Sequence, residues 1–556
     1  MSKYVIGLDF GTKSARALLV DAATGAVSAR YSHEYAHGVI DACLPDGVTR
    51  LGPDWALQHP LDYTDALCVI ISGVMRESGV AAEDVVGLSI DFTACTMLPV
   101  DARRKPLSSH EQFAHHPHAY AKLWKHHAAS AETTRINAAL EKNGAINNER
   151  YGGRISSELL LPKIMQILNE DEAVFQAADQ LLEAGDWISQ LLTGEKRRGM
   201  STASYKAWWN IETGYPDTLF AALDPRLADL TKTKMAGEVC PVGGKFGSLT
   251  QEWADRLGLC AGIAVGCPVI DAHAGLPGCG ITRPGRMMLI IGTSSVQAAL
   301  STRPYSGGGI MGGVKDGVIP GYYALESGLA AVGDIFEWFI NNAVPASYQA
   351  EAEKTGVSLY RYLSERAEKR VPSGLLALDW WTGNKTPFVD ALLSGVIVGY
   401  TLATKPEDVY RALVEATGFG TRLIMEHFEK AGIRIDEIDA CGGIAEKDAF
   451  LMQIYADITG REIKVSAEPD TAALGAAMYA AAAAGSVAGG HSDIAAASVT
   501  MSRLRPETYK PNPARAAHFT TLYKHYCELS QYLGASPLMR HIREPLTLTN
   551  EETLGE

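Results

Sequence analysis

No run in the 556 residues approaches the roughly twenty apolar side chains that a bilayer-spanning helix needs, and the start MSKYVIGLDF has no apolar signal core with a cleavage site. A membrane partner is therefore not expected, and a cytoplasmic location is. Cysteine is sparse, with nine residues scattered and no C-x-x-C pair, which excludes a zinc module or a disulfide framework and suits reduced thiols. Basic tracts are also missing. Fifty basic against 64 acidic residues leave a net charge of −14, which argues against nucleic acid as a partner and requires any anion to be held by local geometry. Two common nucleotide signatures are absent: Gly244-Lys245 is followed by Phe246 rather than Ser or Thr, and no G-x-G-x-x-G opens a helix. Asp9-Phe10-Gly11 matches a protein-kinase triplet only by accident, since almost no chain precedes it to supply a catalytic loop. What is present, 47% hydrophobic and 21% charged residues over a length beyond one core's reach, is that of a globular enzyme with two large domains.

The informative stretch is Val5 to Val20, VIGLDFGTKSARALLV. A β-branched, apolar strand runs into Asp9, then into the small polar turn Gly11-Thr12-Lys13-Ser14, and extended structure resumes. Exposed N–H groups and hydroxyls in such a turn can hold phosphate oxygens, and a hard carboxylate beside them suits Mg²⁺; a plain β-hairpin is the alternative. A second copy shifts that balance. Met287 to Leu300, MMLIIGTSSVQAAL, repeats the pattern about half the chain later, with Gly292-Thr293-Ser294-Ser295 in the turn, as a duplicated nucleotide-binding half would. The counterpart of Asp9 there is Ile290, so a single metal corner is expected.

Other strand ends carry acids. Val85 to Ile90 leads into Asp91 and Thr93-Ala94-Cys95-Thr96, and Ile263 to Ile270 reads as one buried strand delivering Asp271 just before a helix. Strand ends of this kind face the crevice of open α/β sheets, although an Asp between strand and helix is equally an N-cap. Tyr322 to Gly328 reads as a third strand ending in an acid, Glu326. Helical spacing covers Pro60 to Gly79, Ser156 to Asn169, Asp171 to Leu182, Pro406 to Gly432, the Ala-rich Ala472 to Gly485 and Ala514 to Leu533, after which the tail frays; Ala346 to Arg370 resembles an inserted helical segment. Ser201 to Trp209 mixes hydroxyls, aromatics and Lys206, a composition that hydroxylated ligands favour, while a solvated lysine is the bland alternative. Gly442-Gly443 after the strand Ile435 to Ala440 lets the backbone lie against a flat ring or a phosphate. Six of the fifteen histidines fall between His110 and His127, but H-E-Q-F-A-H is one residue too long for a zinc helix.

Taken together, GLDFGTKSARALLVD, SIDFTACT, LWK, GDW with LLTG, DAHAG, IGTSS and CGGIAEKDAFLMQIYADITG span nearly the whole chain, and their order resembles the FGGY family of carbohydrate kinases among the actin-like ATPases. SIDFTACTMLPVD, STASYKAWW, ALESG and DWWTGNKTP are similar to the branch that acts on L-ribulose; Trp124-Lys125-His126 departs from the Asp that many relatives place soon after the Trp. The resemblance implies an α/β fold of two actin-like, ribonuclease H-like ATPase domains flanking a deep cleft. Its parts would be an N-terminal sugar-binding and metal-bearing domain (1–283), a C-terminal nucleotide-binding domain (284–500) and a helical tail (501–556). It implies phosphorylation of the C5 hydroxyl of a ketopentose by ATP, with L-ribulose in arabinose catabolism first, and D-ribulose, xylulose, glycerol or a non-catalytic nucleotide switch as alternatives. Asp9 and Asp91 would arrange Mg²⁺. Gly11, Thr12, Lys13, Gly292, Thr293 and Ser294 would cradle phosphates, and Gly442 and Gly443 would border adenosine. Ala94, Lys206, Asp271 and Glu326 would touch the ketose, with Asp271 as general base, ionised at neutral pH if it keeps the ordinary value of about 3.9. A homodimer is compatible with this reading.

Overall fold

The structure is a computed structural model, and it describes residues 2–143, 151, 154–305, 309–370 and 374–543. Two seven-stranded sheets organise it. The first is built from β1 (Tyr4–Phe10), β2 (Ser14–Asp21), β3 (Val27–Glu34), β4 (Val85–Phe92), β5 (Lys245–Ser248), β6 (Ala264–Gly266) and β7 (Val269–Ile270). Their order is β5-β6-β4-β1-β2-β3, with β7 also on β4. The opening meander is as expected: β1, β2 and β3 pair antiparallel, and β4 joins β1 in parallel. β1 and β4 are buried along nearly their whole length, whereas the edge strand β3 alternates between half-buried and exposed residues.

The second sheet comprises β8 (Gly285–Ile291), β9 (Ser295–Ser301), β10 (Met311–Lys315), β11 (Tyr323–Leu329), β12 (Ile435–Cys441), β13 (Glu462–Ser466) and β14 (Leu504–Tyr509), in the order β10-β11-β9-β8-β12-β13-β14. β8 and β9 pair antiparallel across the Gly292 turn, and β12 lies parallel to β8, as β4 does to β1. The duplication read from two short turns therefore extends to whole sheets. In the first, Asp9 faces Asp91 across adjacent strands; in the second, the equivalent facing pair is Ile290 and Cys441.

Two helices join the halves. Asp271–Gly278 follows β7, and the Ala-rich Thr471–Ala484, which comes from the late part of the chain, packs on it and on β1 and β4. A Cβ at Gly475 would stand 1.9 Å from the Ala274 carbonyl oxygen, so only glycine allows this approach. Val5, Leu18 and Val20 of the first sheet share one apolar cluster with Ala473, Ala477, Met478 and Ala481.

Several boundaries differ from the sequence reading. The expected helix from Asp171 is a short helix, Glu172–Ala177, followed by a strand, Gln180–Glu183, because Leu181 and Leu182 pair with Pro99 and Leu98. The expected strand Ile263 to Ile270 breaks into β6 and β7 at Cys267-Pro268, where proline offers no N–H to a ladder. Glu326 sits in the middle of β11 rather than at its end, since Ser327, Gly328 and Leu329 continue the pairing with β9. The inserted segment forms the helices Ala346–Thr355 and Leu359–Glu368. The tail helix runs Pro513–Ala535, and the frayed part beyond 543 lies outside the described residues. Among the described residues no helix is long and apolar enough to cross a membrane.

Candidate active site

The carboxyl ends of β1 and β4 bring two acids together. Asp9 is buried, and its Oδ2 accepts a 2.6 Å bond from Arg16 Nη1, a partner on β2 that the sequence reading missed although the antiparallel register places Arg16 directly opposite. Asp91 is fully buried, and neither of its carboxylate oxygens receives a hydrogen bond from a donor group. Burial pushes its pKa well above the usual carboxylate range, and Asp9 and Asp271 push it further. Unpartnered buried carboxylate oxygens are costly unless something compensates them. A pair of hard oxygen donors in register on neighbouring strands fits a divalent cation.

Beside this pair lies a buried polar network that crosses between the halves. Lys206 closes the helix Met200–Lys206 and places Nζ 3.1 Å from Oε1 of Glu326 on β11. The other carboxylate oxygen, Oε2, is 3.1 Å from His273 Nε2, and His273 Nδ1 lies 3.2 Å from Ser201 Oγ. Tyr205 packs its ring 4.2 Å from that of His273 and donates from its hydroxyl to the Ala324 carbonyl at 2.8 Å. Burial alone would lower the Lys206 pKa, but the Glu326 carboxylate overrides it and the net shift is upward. Burial likewise raises Glu326, and Lys206 with His273 overrides it, so both members of the pair stay ionised. His273 was visible in DAHAG without a role; its two ring contacts explain its place there.

Asp271 opens the helix that follows β7 as its first residue, not its N-cap. Ile270 occupies the cap position, and Asp271 Oδ1 accepts from the Ala272 N–H, at 2.7 Å. Burial first, and then Asp9, raise its pKa to about 7, with Glu326 adding to the rise and Lys206 opposing it. This corrects the expectation of an ordinary acid, fully ionised at neutral pH. The cause is burial first, joined by acids remote in sequence. Asp9, Asp91, Asp271, Lys206 and Glu326 thus form one electrostatically linked cluster, with Ala94 in the half-buried loop after β4.

The Gly-Thr turns differ in what supports them. In the first, Gly11 N–H bonds the Ser14 carbonyl at 3.0 Å, Thr12 Oγ1 accepts from Trp124 Nε1 at 3.0 Å, and Lys13 is exposed. This bond ties Trp124 to the phosphate-type turn. In the second turn, the Thr293 carbonyl takes the N–H groups of Val332 and Asp334, and the Thr293 side chain is exposed. A cavity of about 770 Å³ opens at this second turn. Gly292, Thr293 and Gly443 line it, together with Phe336, Tyr360 and Phe450, whereas Ser294 and Gly442 stand outside the lining. Gly442 has φ +95°, and a Cβ there would meet the Ile291 carbonyl oxygen at 2.5 Å, which keeps the strand-to-helix corner tight. Tyr360 and Phe336 carry no local signal; they reach the cavity through the packing of the helices Leu359–Glu368 and Gly333–Ala343.

The histidine-rich stretch holds no metal cluster among the described residues. His110, His115 and His116 instead pair with Asp101, Asp46 and Asp171, and His126 lies 2.9 Å from Gln166 Oε1.

Two descriptions of one family match this chain: the N-terminal domain of the FGGY family of carbohydrate kinases over residues 4–278 and its C-terminal domain over residues 287–484. The chain is 48% identical to the ribulokinase of Halalkalibacterium halodurans over 547 residues, covering 98% of this chain and 97% of that one. It is 42% identical to the ribulokinase of Mycolicibacterium smegmatis over 546 residues, covering 97% and 96%. Among solved structures, the xylulose kinase of Rhodospirillum rubrum superposes with a TM-score of 0.78 at 23% identity, covering 97% of this chain and 100% of that one. The glycerol kinase of Plasmodium falciparum with ADP gives 0.72 at 16%, covering 95% and 98%.

Proposed function

The chain belongs to the FGGY family of carbohydrate kinases, and from that premise we propose that it transfers the γ-phosphoryl group of ATP to the C5 hydroxyl of L-ribulose, forming L-ribulose 5-phosphate. Ribulokinases that match over nearly the full length support the substrate. The structural observation that carries the reading is the ion pair between Lys206 and Glu326, contributed by opposite halves and set beside the carboxyl group of Asp271. A ketose between the halves would exchange hydroxyl contacts with Lys206, Glu326 and the Ala94 backbone. Its terminal hydroxyl would give a proton to Asp271 as the oxygen attacks phosphorus, for which Asp271 must be ionised. Asp9 and Asp91 would hold Mg²⁺, which when bound neutralises charge on the triphosphate. Gly11, Thr12, Lys13, Gly292, Thr293 and Ser294 would surround the phosphates, with Gly443 against adenosine in the cavity of about 770 Å³ and Gly442 holding the corner behind it. In this reading 1–283 is the sugar and metal domain and 284–500 the nucleotide domain, while 501–556 adds β14 to the second sheet before continuing as a helical tail.

ADP release measured over L-ribulose, D-ribulose, D-xylulose and glycerol tests the assignment. Strong stimulation by L-ribulose, with C5 phosphorylation of the product, is the expected result. Preference for glycerol or D-xylulose would overturn the substrate while leaving the family intact.

A further inference from the structure

Lys163 is a fully buried cation within the apolar helix Leu160–Glu170. Its Nζ donates to two main-chain carbonyls, Cys95 O and Leu123 O, each at 2.7 Å. The two acceptors belong to different loops. Cys95 follows Ala94 at the end of β4 and holds φ +58°, a conformation that L-residues rarely adopt and that needs support from its surroundings. Leu123 immediately precedes Trp124, whose indole N–H reaches Thr12 in the first phosphate-type turn. A continuous strap therefore runs from the loop bearing Ala94, through the Lys163 ammonium, to the turn bearing Thr12.

We propose that Lys163 is a positioning residue: its ammonium fixes the spacing between the Ala94–Cys95 loop and the Trp124-anchored Thr12 turn, and so aligns acceptor hydroxyl with transferred phosphoryl group. In a trans peptide, tying the Cys95 carbonyl to Lys163 also fixes the direction of the next N–H, that of Thr96. Among the described residues no carboxylate hydrogen-bonds the ammonium, so its charge serves the two carbonyls directly. The inference rests on the ketose reading above and adds to it a residue that touches neither substrate.

The test compares Lys163→Met, an apolar side chain one atom shorter that loses both bonds, with Lys163→Gln, a neutral donor of the same reduced reach that meets one carbonyl at most and serves if the first variant does not fold. Thermal melting, KM for L-ribulose and for ATP, kcat, and the ratio of ADP released to sugar phosphate formed are measured on each full-length chain. Loss of both charge-assisted bonds should raise KM for the ketose about tenfold, with KM for ATP within about twofold. Misalignment should also raise the ratio of ADP to sugar phosphate, since a displaced hydroxyl lets water compete for the phosphoryl group. Glu326→Gln is the control for the pocket itself. If Glu326→Gln shifts the ketose KM while folded Lys163 variants show only a lower melting temperature with unchanged KM and coupling ratio, the positioning role is overturned and the pocket stands. If Glu326→Gln leaves the ketose KM unchanged, the pocket assignment fails, and the strap's role in alignment fails with it.

Discussion

Replacing Asp271 by Asn removes a charge and almost no volume, and the structure makes two separable expectations of it. The first is catalytic. A positioned general base is worth roughly 10² to 10⁴ in rate, so kcat should fall by that order while KM for the ketose changes little, since the amide still hydrogen-bonds a hydroxyl. The second is a stability effect whose sign depends on pH. The folded-state pKa of Asp271 is raised to about 7 by burial and Asp9, so the native state binds this proton more tightly than the unfolded chain does. Ionisation therefore opposes folding: the cost starts above the unfolded value near 4, grows with pH and is complete once pH passes about 7. Three pK units correspond to roughly 4 kcal/mol at most, and partial exposure with coupling to Asp9 reduces this to about 1–2 kcal/mol. Asn carries no such cost and can still accept from the Ala272 N–H. In the absence of Mg²⁺ and nucleotide, Asp271→Asn should melt close to wild type at pH 4.5 and a few degrees above it at pH 8, read by calorimetry or circular dichroism. Two results refute the reasoning: a variant that keeps most of its kcat, or a stability difference that does not grow with pH. A destabilised variant at every pH would make the carboxylate a helix-start element after all.

Three further perturbations follow. Wild-type kcat/KM for the ketose should rise with pH and level off above about 7, as the base ionises; a flat profile from pH 5 to 9 would disconnect Asp271 from proton transfer. Lys206→Met strips Glu326 of its ammonium partner and should raise the ketose KM by the equivalent of ~1–3 kcal/mol with little change for ATP, and an effect confined to ATP in steady-state kinetics would move the ketose elsewhere. Gly442→Ala must displace the Ile291 carbonyl, only 2.5 Å from the new Cβ, at a φ of +95°; it should weaken ATP binding in calorimetric titration and spare sugar binding, and an unaltered nucleotide affinity would detach that corner from the nucleotide site.

Local pattern made much of this fold legible. Asp9 at the end of an apolar strand, followed by glycine and hydroxyls, needs only alternation and turn chemistry to be read, and its repeat around Gly292 announced the paired sheets. The Gly442-Gly443 corner and the Ala-rich helix were visible for the same reason, as composition with one structural use. What stayed hidden depends on partners far apart in sequence. Arg16 on Asp9, His273 on Glu326 and Lys163 under two loops are set by register and tertiary packing. The shifted pKa of Asp271 is hidden in the same way, because the burial that raises it, and the acids that add to the rise, are set by other segments. Glu326 shows the complementary error: an acid in a strand looks like a strand end when the buried partner that permits it mid-strand, Lys206, lies 120 positions away.

The late helix Thr471–Ala484 has a consequence for how the chain is made. It supplies the apolar lid over Val5, Leu18 and Val20, so the first sheet has one face uncovered until nearly two hundred residues after Arg283 have been synthesised. At 5–20 residues per second that interval is roughly ten to forty seconds. During it, an emerging amino-terminal half presents an open, apolar surface to the cell, and a fragment cut at residue 283 would carry the same defect permanently. Vectorial folding, in which one domain finishes before the next begins, is closed to this topology; the two halves must mature together, and chaperone occupancy on the nascent chain should persist until the helix has left the ribosome.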